Sequence, residues 1–168
     1  MSIKRIEAMT KHVKTNAVRL LEAAGVPHET LTYETGDGGI DAVAVAGKLG
    51  RPPGDLFKTL VARAGRNVYV FCVPGDRELD LKKAARAAGE KKIELVAVKE
   101  LPALTGYVRG ACSPLGMKKS YPLFIDAAAE SREEIVISGG ALGLQISLAP
   151  ADLFRVAGAA AADLTAAD

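Results

Sequence analysis

Few side chains in this sequence have both the type and the setting for chemistry, and Lys58 is the first of them. It stands in "LFKTLVA", a run that reads as a β-strand. Period two places Lys58 on one face with Leu56, Leu60 and Ala62, and Phe57, Thr59 and Val61 on the other. Both faces are largely apolar, and desolvating an ammonium there costs several kcal/mol unless a partner or ligand compensates. Two readings follow. The lysine either snorkels to an edge or pairs with a carboxylate, or it is a cation at the floor of a pocket for a phosphate, an ester carbonyl or a carboxylate.

The second candidate is "GYVRGACSPLGMKKS", residues 106–120. Gly106, Gly110 and Gly116 permit close backbone approach, Pro114 stiffens a turn, and successive free N–H groups could form an anion-binding nest. Cys112 would need a base or a strongly positive niche to become a thiolate, and no histidine is near it in sequence. Ser113 fits a turn-shaping role. The loop is therefore expected to work through its backbone. A third candidate is "ISGG", residues 137–140, where a strand runs into Ser138, Gly139 and Gly140. It reads either as a hydroxyl and backbone facing a ligand or as a tight turn before the next strand.

The missing types narrow the chemistry. His12 and His28 are the only histidines, and neither sits in a recognisable nucleophile elbow. There is no C-x-x-C, no H-x-x-x-H and no dense carboxylate cluster, so no metal is expected. "GDGGIDAVAVAGKLG" fits neither the dinucleotide-binding nor the P-loop spacing and reads as a loop entering a helix.

The elements that must position these residues follow from periodicity. "TNAVRLLEAAGVPHE" reads as an amphipathic helix with Thr15 as N-cap and Gly25 and Pro27 as stops. "ETLTYE" alternates like a strand, and "IDAVAVAGKLG" is a small-residue helix closed by Gly50. "LFKTLVAR" and "VYVFCV" form a hairpin through "AGRN", with Gly65 taking a positive φ. Asp80 caps the helix "LKKAARAAG", "KIELV" is a short strand, and "AVKELPALTG" is a helix that starts or breaks near Pro102. "YPLFID", "EEIVISGG" and "LGLQISLAP" read as strands, and "PADLFRVAG" as a helix with Pro150 in its first turn. The tail "AAAADLTAAD" is expected to fray. No repeat or Ser/Gly linker divides the chain, so residues 1–168 read as one α/β domain with a mostly antiparallel or mixed sheet.

A net charge of +2 provides no large uniform field. Any nucleic-acid contact would come from local clusters such as Lys82, Lys83, Arg86, Lys91, Lys92, Lys118 and Lys119, which otherwise form solvated faces. The opening "MSIKRIEAMTKHVK" lacks the apolar core of a signal peptide, and no apolar run reaches membrane-spanning length. A cytoplasmic, soluble protein with free thiols is expected.

Together "KTNAVRLLEAAGVPHETLTYE", "FKTLVA", "LDLKKAARAAGEKKIEL", "TGYVRGACSPLGMKK" and "IVISGGALGLQISLAPADL" resemble the YbaK family of free-standing Cys-tRNA(Pro) deacylases, relatives of the editing domain of bacterial prolyl-tRNA synthetases. The resemblance spans nearly the whole chain and implies a mixed α/β fold with a curved, barrel-like, largely antiparallel central sheet and flanking helices. It implies an essential lysine at Lys58 with Thr59 beside it, and a tyrosine of the first strand at Tyr33. Gly110 would be the glycine of a mobile G-x-x-x-P loop closed by Pro114, and Ser138 the serine before the double glycine. Lys58, Gly110 and Ser138 are thus the expected catalytic residues, and Tyr33, Thr59, Ser113, Pro114 and Gly139 the substrate-binding ones. Ala111 stands where many members carry a second glycine, which would stiffen the loop.

The activity implied is hydrolysis of the ester between cysteine and the terminal ribose of mischarged tRNA(Pro), with the substrate's own thiol as nucleophile. The implied partners are the aminoacylated tRNA acceptor end and prolyl-tRNA synthetase, with no DNA, membrane or cofactor. Two alternatives remain open at this level: a deacylase for another small amino acid such as alanine, and a binding module for tRNA or a synthetase that does no chemistry.

Overall fold

Among the described residues, three helices begin at a side-chain cap that the sequence supplies. The computed structural model describes residues 14–166, so His12 lies outside the described residues. Helix α1 (Asn16–Ala23) starts at Thr15, whose hydroxyl accepts from the Val18 amide at 3.2 Å, and it buries Ala17, Val18 and Leu21. Asp41 caps α2 (Ala42–Leu49) and Asp80 caps α3 (Leu81–Ala88) in the same way, satisfying amides that a helix leaves unpaired. Both helices stop at left-handed glycines, Gly50 and Gly89. The short α4 (Leu101–Thr105) follows a 3₁₀ turn at Val98–Glu100, and α5 (Pro150–Ala157) carries its proline in the first turn.

The strands form two sheets. β1 (His28–Thr32), β7 (Leu144–Leu148) and β6 (Ile135–Ser138) pair antiparallel in the order β1-β7-β6. The second sheet runs β4-β2-β3-β5-β8, built from β4 (Glu94–Leu95), β2 (Phe57–Ala64), β3 (Asn67–Pro74), β5 (Leu123–Asp126) and β8 (Ala160–Ala162). β2 and β3 are the expected hairpin, with Gly65 at φ +61°. The β3–β5 and β5–β8 pairs are parallel, so the architecture is mixed α/β. A single parallel bridge between Leu56 and Val136 joins the two sheets where β2 passes β6.

Three apolar clusters fill the molecule. The largest packs α1 and α5 against Phe57, Val61, Ile125, Ile137 and Ile146. On the opposite face of β2, α3 covers Ala62, Phe71 and Val73, and α2 covers Leu56 and Val136. Lys58 shares a face with Leu56 on one side and with Leu60 and Ala62 on the other. It therefore occupies the gap between these two smaller clusters.

The C-terminal segment departs from expectation. Instead of fraying, residues 160–162 pair with β5, Leu164 is fully buried, and Thr165 bridges Leu79. Burying one leucine contributes roughly 1.5–3 kcal/mol, and the Leu164 amide donates to Asp126 at 3.0 Å. Among the described residues no helix is long and apolar enough to cross a membrane.

Candidate active site

A cleft of ≈ 650 Å³ opens on β2, with Lys58, Thr59, Gly110, Cys112, Ser138 and Gln145 among its lining residues. Strand pairing explains why these residues meet. Two residues beyond the Leu56–Val136 bridge, in its parallel sense, lie Lys58 and Ser138. Ser138 is in register with Gln145, and Gln145 with Leu31. Cross-strand partners share a face of a sheet, so Lys58, Ser138 and Gln145 form a row crossing from one sheet to the other. The far edge of β2 is taken by β6 at Leu56 and by β4 from Val61 onward, leaving Lys58–Leu60 with β3 as their one strand neighbour among the described residues. That interruption is where the cleft lies.

Lys58 is three-quarters buried, its side chain 25% exposed, and its Nζ lies 3.8 Å from the carboxylate of Glu78. The lysine thus has a carboxylate partner and also stands in a cleft. Ser138 accepts a long hydrogen bond from the Gly140 amide at 3.3 Å, which shapes the turn while the residue lines the cleft. Thr59 also lines it, with its hydroxyl 3.7 Å from the Cys72 sulfur.

The loop of residues 106–120 is anchored at its base. Tyr107 donates from its hydroxyl to the Leu115 carbonyl at 2.7 Å, Thr105 accepts from the Tyr107 amide at 3.0 Å, and Lys118 N–H donates to the Thr105 carbonyl at 2.9 Å. Ser113 is fully buried and accepts from the Leu115 amide at 3.2 Å; it holds the turn and does not line the cleft, and neither does Pro114. Gly110 does, at φ +85°. Its N–H has no hydrogen-bond partner among the described residues, so the donor is available to a ligand. A Cβ there would meet Leu142 at 3.0 Å and Ile40 at 3.2 Å.

Neither thiol is poised to attack. Burial pushes Cys72 up to about 12 and Cys112, at the cleft wall, up to about 11, so both are protonated at neutral pH. His28 is on β1 with Nδ1 2.8 Å from the Val26 carbonyl, and it is not a cleft residue. Among the described residues no group of His, Cys, Asp and Glu comes together as a metal site.

Two further expected residues, Tyr33 and Gly139, lie off the cleft wall. Tyr33 packs with α2 against Leu56 and Val136, its hydroxyl buried without a hydrogen-bond partner and the Lys48 ammonium 5.9 Å from its ring centroid. Gly139 is required sterically, because a Cβ there would sit 2.6 Å from Leu144. Its carbonyl accepts from the Thr15 hydroxyl, tying the "ISGG" turn to the start of α1.

Three cleft residues went unread in the sequence. Gln145 is 4% exposed with its Oε1 unpaired, although a lone amide in the apolar strand "LGLQISL" was a visible signal. An unsatisfied buried carbonyl oxygen costs about 1–3 kcal/mol, and this one belongs to a residue that lines the cleft. Arg109, next to Gly110, is exposed at the cleft, and Glu78 faces Lys58. As charged loop residues, these two carried no signal until the fold placed them.

Lys58, Gly110, Ser138 and Gln145 all fall within a stretch of chain shared with a known family. Residues 38–156 match the aminoacyl-tRNA editing domain, and the chain belongs to that family. It is 41% identical over 153 residues to a protein of Enterococcus faecalis provisionally named a Cys-tRNA(Pro)/Cys-tRNA(Cys) deacylase, covering 90% of this chain and 93% of that one. A solved structure, provisionally titled a trans-editing enzyme for prolyl-tRNA synthetase, superposes with a TM-score of 0.81 at 26% identity, over 92% of this chain and 99% of that one. A proline–tRNA ligase of Pelotomaculum thermopropionicum is 34% identical over 74 residues, which is 44% of this chain and 13% of the ligase.

Proposed function

We propose that this protein is a free-standing deacylase that removes cysteine from mischarged tRNA(Pro), with the substrate's thiol as nucleophile. The observation that carries the mechanism is that the cleft offers a cation and an unpaired N–H, while its one thiol is held protonated and no histidine lines it beside the hydroxyls of Thr59 and Ser138. The thiol of the bound cysteinyl ester attacks its own carbonyl carbon. A carbon–sulfur bond forms, the ester bond to the ribose oxygen breaks, and that oxygen takes up a proton as tRNA leaves. Water then opens the cyclic thioester.

Lys58 holds the ester carbonyl or the terminal phosphate, and the Gly110 N–H receives the developing oxyanion. Ser138 and Gln145 orient the aminoacyl group from one side of the row, with Tyr33 behind them. Holding thiol and carbonyl in a reactive geometry supplies most of the acceleration, as positioning does in intramolecular reactions. Selection of tRNA(Pro) falls to prolyl-tRNA synthetase working alongside, a reading supported by the resemblance to proline–tRNA ligases. The exposed Lys82, Lys91, Lys92, Lys118 and Lys119 are suited to tRNA phosphates, whereas Lys83 is held by Asp163 and the Thr165 carbonyl.

The test is loss of labelled amino acid from Cys-tRNA(Pro) and Ala-tRNA(Pro). Cysteine is expected to leave at least about 100-fold faster, since alanine has no internal nucleophile. Equal rates would point to a water nucleophile and a general small-residue deacylase. Binding of tRNA without loss of either amino acid would favour a non-catalytic module.

A further inference from the structure

We infer that Glu78 recognises the free α-ammonium of the aminoacyl ester and so restricts the enzyme to unblocked aminoacyl-tRNA; the inference rests on the deacylase reading above. Four charged side chains line the cleft: Asp41, Lys58, Glu78 and Arg109. Two are carboxylates, but Asp41 already accepts from the Ala44 amide at 3.0 Å as the cap of α2. Among the described residues the Glu78 carboxylate has Lys58 alone as a partner, at 3.8 Å, longer than a hydrogen bond, and its side chain is 89% exposed. Its carboxylate therefore keeps its accepting capacity for a ligand.

The substrate supplies the matching charge. In an aminoacyl ester the α-ammonium and the carbonyl oxygen sit on adjacent carbons, one positive and one partly negative. Lys58 and Glu78 present the complementary pair at a comparable spacing. With Lys58 on the carbonyl or phosphate, the neighbouring carboxylate meets the ammonium.

The Glu78 backbone is fixed although its side chain is free. Ala166 N–H donates to the Glu78 carbonyl at 3.2 Å, Leu79 bridges Thr165, and Asp80 N–H donates to the Leu164 carbonyl at 2.8 Å. The C-terminal segment thus holds this loop at the cleft mouth, so little ordering is needed on binding. An N-acylated ester, the state of a peptidyl- or formyl-aminoacyl-tRNA, lacks the ammonium and would leave Glu78 facing a neutral amide.

Single-turnover deacylation by the full chain of Cys-tRNA(Pro) and N-acetyl-Cys-tRNA(Pro) tests this with the wild type, Glu78→Gln and Glu78→Asp. The wild type should prefer the free amine by about tenfold or more, the range of a charge-assisted hydrogen bond. Glu78→Gln should lower the rate on the free amine by that factor more than it changes the acetylated rate, erasing the preference; Glu78→Asp should keep part of it. A preference that is only steric would survive the isosteric change to Gln, and that result, or a wild type without preference, would overturn the role of Glu78 alone. Hydrolysis of neither ester by the wild type would overturn the deacylase reading and this inference with it.

Discussion

Lys58→Ala should lower kcat/KM for Cys-tRNA(Pro) by about 100-fold or more and leave the protein folded. The size of the loss follows from what a charged group aimed at a developing oxyanion or a phosphate contributes, about 3–4 kcal/mol. The small effect on stability follows from its surroundings. Its one partner among the described residues, Glu78, is almost fully exposed, and an ion pair of that kind contributes about 0–1 kcal/mol. Deleting the side chain also removes a cation from a partly apolar setting, which offsets the lost pairing. Thermal unfolding beside the kinetics separates the two effects. A folded Lys58→Ala protein with full activity would remove Lys58 from the site.

Gly110→Ala should cost about 100-fold in activity, by a different route. At φ +85° a side chain is strained by about 1–2 kcal/mol, and the new methyl would press on Leu142 and Ile40. Leu142 is 48% exposed and can yield, so the loop can relax without the protein unfolding. Relaxation moves the open N–H, and an ångström of misplacement in a positioned donor costs on the order of 100-fold. The effect should fall on kcat, because the donor bonds the oxyanion more strongly than the ground-state carbonyl. A variant with unchanged kcat would show that the Gly110 amide does not meet the reacting carbonyl.

Local signals made much of the fold legible. Thr15 and Asp80, the hairpin at Gly65 and the proline of α5 act where their chemistry predicts, because caps and turns are settled within a few residues. Sheet order is not local. The single Leu56–Val136 bridge sets Lys58 beside Ser138, and nothing in either segment names the other as neighbour. The tail misled for a related reason: a run of alanines has little strand propensity, and its pairing is stabilised by β5 and by the burial of Leu164. Within the site, Lys58 stood out because a charge in an apolar strand is costly. Gln145 carried a weaker form of the same signal, and Arg109 and Glu78 carried none, since charged residues in loops are ordinary. Ser113 and Gly139, drawn in from neighbouring motifs, proved to hold the turns on which the cleft depends.

Central to the proposed mechanism is a nucleophile that belongs to the substrate. Single-turnover deacylation of Cys-tRNA(Pro) and Ser-tRNA(Pro) by the wild type and by Cys112→Ala tests it most directly, because serine differs from cysteine by one atom and Cys112 is the thiol at the cleft wall. With a substrate nucleophile, cysteine leaves fast with both proteins and serine leaves at least about 100-fold more slowly. Serine lost as fast as cysteine, or cysteine lost only when Cys112 is present, would contradict it.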